Sequence, residues 1–205
     1  MEVYETQEQQ VEALYAWFKK RGKLLFTTAV CGVLIILGLQ YWSHHMSVRQ
    51  DMASQAYQAL MVVIEKEDQV SAKNKAKHLS TEYASSVYGT IAKLYLAKAA
   101  VQDQKLDEAK SYLEAVINSG RHGEFQNTAR LRLAKILFEE KKSQEALTLL
   151  NNNATLLQEL KGDILMSQDK LKEAQTLYKL AQEAMLKKEI NHPLLKMKID
   201  SLGEV

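Results

Sequence analysis

Hydrophobic and polar residues follow each other with helical spacing along most of this chain, and one stretch has no polar side at all. Residues 24–42 are 19 positions without Asp, Glu, Lys, Arg or His, which at about 1.5 Å per residue covers the hydrocarbon thickness of a bilayer. A helix of a soluble core would be amphipathic, whereas Val30, Val33, Leu34, Ile35, Ile36, Leu37 and Leu39 leave no polar face. The pattern predicts a transmembrane helix over 24–42.

A cleaved secretory signal has a shorter apolar core and ends in small residues. Here the run ends in Gln40-Tyr41-Trp42-Ser43-His44-His45, so the segment is expected to stay in the mature protein. Lipidation of Cys31 would need small residues just before it and the apolar core upstream. Val30 precedes it and most of the run follows, so Cys31 reads as an ordinary apolar residue facing lipid. Tyr41 and Trp42 fall where amphipathic rings suit the headgroup layer. Lys19, Lys20, Arg21 and Lys23 precede the span, and Arg49 alone follows it within 20 residues. The excess of positive charge on one side puts residues 1–23 in the cytoplasm and 43–205 across the membrane. In a bacterium with two membranes, that makes a single-pass inner-membrane protein with a periplasmic domain.

Before the span, Val11, Leu14, Tyr15 and Phe18 share one helical face; this is either a solvated lead into the membrane or a docking helix. Beyond it, 51–67 and 72–83 read as helices, with a break expected at Tyr88-Gly89. From there the sequence resembles itself. KLDEAKSYL (105–113), KSQEALTLL (142–150) and KLKEAQTLY (170–178) align Lys105 with Lys142 and Lys170, and Ala109 with Ala146 and Ala174. Leu106, Ala109, Leu113 and Val116 recur as Leu171, Ala174, Tyr178 and Ala181, one face of a helix. Twelve residues before each aligned alanine stands another small residue, Ala97, Ala134 or Gly162. Paired antiparallel helices could approach closely there.

This is similar to the tetratricopeptide pattern of helix, turn, helix. The aligned alanines are 37 and then 28 residues apart rather than evenly spaced, and the large aromatic usual early in the first helix is missing. The reading is an all-α protein, a single transmembrane helix followed by a degenerate tetratricopeptide-like α-solenoid over 43–205. Asn191 and Pro193 suit the start of a last, capping helix through Ile199 and Leu202.

Composition agrees. The chain of 205 residues has eight glycines and one proline, few helix breakers for its length. Its single cysteine lies in the span, so the domain beyond can form no disulfide. After residue 43 there are 23 Lys and Arg against 21 Asp and Glu; no basic face announces a nucleic acid. His44 and His45 are adjacent and point about 100° apart on a helix, unsuited to one metal ion. His78, His122 and His192 stand alone, and there is no phosphate loop or nucleophile elbow. No catalytic, cofactor or metal residue is expected, and the protein is not read as an enzyme. Asn153-Ala154-Thr155 is a glycosylation sequon that matters only in a secretory eukaryotic context. If the first helix of each pair lines a groove, Lys98 and Lys135 are either ordinary solvated lysines or flank an apolar floor of Leu94, Leu131 and Phe138. Such a floor could hold a partner helix or an unfolded segment.

Several stretches together resemble the YfgM family of ancillary SecYEG translocon subunits of gammaproteobacteria, across essentially the whole chain. They are VYETQEQQVEAL near the start, Gly22-Lys23 at the entry to the span, Tyr41-Trp42 at its exit, SQAYQAL, Tyr88-Gly89, and LLKMKIDSL near the end. The stretch SGRHGEFQ (119–126) and a shortened third unit depart from the family pattern. The resemblance implies a membrane-tethered scaffold that binds the SecYEG translocon and a PpiD-like periplasmic chaperone and helps pass translocated, unfolded clients onward. It also implies an alternative role, envelope-stress regulation through the cytoplasmic segment acting on the Rcs response regulator.

Overall fold

The computed structural model describes residues 7–151 and 154–203, apart from some side chains within the first helix and that of Thr155. The side chains of Leu14, Phe18, Lys23, Trp42, His44 and His45, together with Asn153 of the sequon, lie outside the described residues. The described residues form α-helices and no strand. The chain divides into two compact units, Met1–Met52 and Ala53–Val205.

The first unit is α1 (Gln7–Glu65) as far as Met52. Within it Lys19–Tyr41 is long and apolar enough to cross a membrane, with a mean hydropathy of 2.1. Val33, Leu34, Ile35, Ile36 and Leu37 are all more than half exposed. Five successive residues at 100° steps face every side of a helix, so no face of this stretch is covered by protein. No proline or glycine lies between Leu39 and Glu65. The span and the expected helix over 51–67 are accordingly one element rather than two.

The second unit holds the last turns of α1, then α2 (Gln69–Glu82), α3 (Val87–Gln102), α4 (Leu106–Asn118), α5 (Gly123–Glu139), α6 (Ser143–Leu149), α7 (Thr155–Ser167), α8 (Leu171–Leu186) and α9 (Pro193–Leu202). From α2 onward each helix packs on the next, and α5 also packs on α7. One main-chain turn recurs. Gln104, Lys141 and Asp169 sit at φ of 59°, 65° and 64°, and the following amides, of Lys105, Lys142 and Lys170, donate back to the carbonyls of Ala100, Leu137 and Leu165 at 2.8–3.0 Å. This is the Schellman closure of a helix. It satisfies the orphan carbonyls of the first helix of a pair and starts the second within two residues. Glu67 (φ 56°) and Asp68, whose amide donates to Val63 at 3.1 Å, repeat it between α1 and α2.

In that frame Ala109, Ala146 and Ala174 hold the same place four residues after the turn, and each has 0% exposure. Ala72, at 1%, is a fourth equivalent, in a unit that the three-copy alignment missed because Leu60 replaces the small residue 12 positions upstream. Across the crossing, sizes compensate. Ala97 and Ala134 belong to the units that carry Leu113 and Leu150, whereas Gly162 belongs to the unit that carries Tyr178, always 16 residues on. A Cβ on Gly162 would lie 2.5 Å from Cε1 of Tyr178.

Three expectations need correction. Tyr88 and Gly89 lie inside the first turn of α3 and not at the break, which falls at 83–86. Ser86 caps α3 by accepting the Gly89 N–H at 2.9 Å, and a Cβ at Gly89 would run into the Tyr83 carbonyl oxygen. The glycine permits close approach rather than a break. The shortened unit is not the third: α7 and α8 are full length at 13 and 16 residues, and the deficit is α6, with seven. Asn151 and the asparagines after it have low helix propensity and follow its end at once. The cap of α9 is His192 rather than Asn191, its Nδ1 accepting the Leu195 N–H at 3.0 Å, with Pro193 in the first turn.

Candidate partner-binding cleft

Where α3 and α5 run side by side they leave a cleft of about 370 Å³. Its floor is Ala97 and Val101 of α3, Leu113 of α4 and Ile136 of α5. Lys98, Arg132 and Lys135 stand around it. The two lysines singled out in the sequence are thus brought to one place. The floor differs from the expected one. Leu94 is only 7% exposed and belongs to the core, while Leu131 and Phe138 are half-buried against that core. Leu94 shares the α3 face of 97, 98 and 101 but lies one turn nearer the helix start, beyond the residues that line the cleft, and is buried in the cluster that α4 and α5 complete. Arg132, which the sequence reading passed over, donates from Nη1 to the Leu94 carbonyl at 3.2 Å. Its spacing of three from Lys135 on one helix face was the available signal.

A second cleft of about 420 Å³ adjoins the first, sharing Lys98 and Gln102, and is lined further by Glu67, Asp68 and Tyr95. Behind α5 lies a third, of about 340 Å³, whose lining includes Lys110, Glu114, Glu145 and Leu137. There the charges are matched. Lys110 donates to Glu140 at 2.8 Å and lies 2.9 Å from Asp107, and Lys142 donates to the other Glu140 oxygen at 2.7 Å. Hydrogen bonds from Lys110 and then Lys142 hold the Glu140 carboxyl below the usual carboxylate range, and the bond it donates to Glu140 raises the Lys110 ammonium.

The far end of the array is closed by a polar cluster. The Tyr178 hydroxyl donates to Asp163 at 2.7 Å, and the Lys198 ammonium of α9 reaches Glu159 at 2.8 Å and Asp163 at 2.7 Å. Burial pushes the Tyr178 hydroxyl up, and the Asp163 hydrogen bond adds to it. Burial alone would lower Lys198, but its two carboxylate partners outweigh that and leave it raised. Among the described residues no group of His, Cys, Asp and Glu is placed to hold a metal ion. His78 lies beside Tyr83, His122 beside Phe125, and His192 caps α9.

The family model for the tetratricopeptide repeat-like domain matches residues 15–204. The chain belongs to this tetratricopeptide-like family. Its recurring turn and small-residue crossings are the structural counterpart of that match. The tetratricopeptide-like chain is also similar, over nearly its full length, to proteins named "Ancillary SecYEG translocon subunit". The one from Escherichia coli (strain K12) is 29% identical, covering 99% of this chain and 100% of the relative. That from Neisseria gonorrhoeae is 29% identical over 96% and 97%, and that from Haemophilus influenzae 24% over 91% and 97%. No solved structure matches the chain.

Proposed function

We propose that this protein is a membrane-anchored ancillary subunit of a SecYEG-type translocon, a scaffold that works by binding and performs no catalysis. The observation that carries the reading is the similarity to translocon subunits across both compact units at once, the apolar helix included. The Lys19, Lys20, Arg21 and Lys23 flank supports a cytoplasmic N-terminus and a periplasmic array. In this reading the anchor associates with the translocon in the membrane. The clefts of the array receive a PpiD-like chaperone or an unfolded client, with Lys98 and Lys135 beside the contact. A second reading, regulation of an Rcs-type response regulator by residues 1–23, has one observation in its favour: Val11 and Tyr15, four apart on α1, are exposed by 56% and 76%.

Co-purification from membranes separates these. The full chain should retain the translocon and the chaperone, and residues 45–205 alone should lose the translocon. Retention of the translocon by 45–205, or its absence from the full chain, overturns the proposal. Full function of a variant lacking the array would favour the regulatory reading instead.

A further inference from the structure

The cleft between α3 and α5 carries charge of one sign only. Among the described residues no acidic side chain lines it. Lys98 and Lys135 are exposed, and neither belongs to the ion pairs formed elsewhere on the array, which tie Lys73 to Asp103, Lys110 and Lys142 to Glu140, and Lys198 to Glu159 and Asp163. Arg132 spends one guanidinium nitrogen on a main-chain carbonyl, which orients the side chain and leaves its charge uncompensated. Glu67 and Asp68 line the adjoining cleft instead, where Asp68 already accepts the Ser71 N–H at 3.0 Å, and Glu139, one turn on from Lys135, is not among the residues that line this one. The cations stand on both walls, Lys98 on α3 and Arg132 with Lys135 on α5, and the apolar floor lies between them.

We infer that this cleft takes a segment of a partner polypeptide that presents apolar side chains next to at least two carboxylates. The inference rests on the scaffold reading above and specifies what the partner must carry. A free phosphate or a nucleic-acid backbone would match the cations and leave the open part of the apolar floor, chiefly Val101 at 42% exposure, facing water. An uncharged apolar peptide would cover the floor and leave three cations without counter-charge. A segment with both features satisfies the whole lining, and charges around such an apolar floor set which partner is accepted more than how tightly it is held.

The test uses the full chain in detergent micelles and three fluorescein-labelled peptides with one shared apolar core of leucines and alanines, tailed with two glutamates, two lysines or two serines. Fluorescence anisotropy should show the glutamate-tailed peptide binding about tenfold more tightly than the serine-tailed one, the size of two modest ion pairs, and the gap should narrow as salt is added. The triple variant Lys98→Glu, Arg132→Glu, Lys135→Glu should transfer the preference to the lysine-tailed peptide, a gain that a misfolded protein could not show. Equal binding of the glutamate and lysine peptides, an unchanged preference in the reversed variant, or no saturable binding of any peptide overturns the inference. Translocon co-purification is read alongside: an unmodified chain that retains the translocon but shows no preference for the glutamate-tailed peptide removes this inference alone, and absence of the translocon from the unmodified chain removes the function proposed above.

Discussion

Replacing Gly162 with alanine sets two effects of known size against each other. Within a helix the change should stabilise by about 1 kcal/mol, because glycine is the poorer helix former. Against this, the new Cβ would lie 2.5 Å and 2.8 Å from ring carbons of Tyr178. That ring has 0% exposure and its hydroxyl is tied to Asp163, so it cannot swing aside, and overpacking of this kind costs about 1–3 kcal/mol. With the ring pinned, the cost falls in the upper part of that range and the net is a loss of about 1–2 kcal/mol. Tyr178→Leu alone should lose about 2–4 kcal/mol, from the cavity and the missing partner of Asp163. The double variant recreates the alanine-leucine crossing that residues 97 and 113, and 134 and 150, already use. It should therefore lose less than the sum of the single variants, by about 1–3 kcal/mol. Urea unfolding of the full chain in detergent, followed by far-ultraviolet circular dichroism, measures all three. If Gly162→Ala stabilises by the full helix-propensity gain, or if the two losses simply add, the size-compensated crossing is wrong.

Each of Ala109→Phe, Ala146→Phe and Ala174→Phe should lower stability by about 1–3 kcal/mol by overpacking a fully buried crossing; unchanged thermal unfolding of all three would contradict the repeat register. Glu140 titrates below the usual carboxylate range when folded. Its contribution is therefore complete above the unfolded pKa and is lost as pH falls through the folded one. Glu140→Gln should make stability fall less steeply across that acidic window, and parallel stability-pH curves for variant and parent would show that the Lys110 and Lys142 contacts do not form in solution.

The span was readable because it needs no tertiary context: apolar length decides it. Ala109, Ala146 and Ala174 were readable because helix crossings tolerate only small side chains, a constraint on residue type at a set spacing. The turn that joins the helices left almost no trace. It is closed by main-chain hydrogen bonds, so Glu67, Gln104, Lys141 and Asp169 serve equally well in it, and it could not reveal the unit built on Ala72, where Leu60 stands in place of the small residue. Gly89 misled because a glycine needed for close approach looks the same in sequence as one that breaks a helix. At the cleft, Lys98 and Lys135 could be placed by their offset from Ala97 and Ala134. The floor could not, since Leu94 and Val101 share one face of α3 and which of them stays open depends on how far along α3 the neighbouring helices reach.

The apolar interior of the array is parted into three clusters, and among the described residues two helices contribute buried side chains to more than one of them. Ala92 and Leu96 of α3 pack with the first cluster while Leu94 and Ala97 pack with the second. On α7 the partition falls between neighbours, Ile164 in the second and Leu165 in the third. Backbone amides should then exchange with solvent in three groups, with α3 and α7 as the helices whose buried residues join one group to the next. Since α3 forms a wall of the cationic cleft, an occupant there would slow exchange in the first two groups together and leave α8 and α9 nearly untouched.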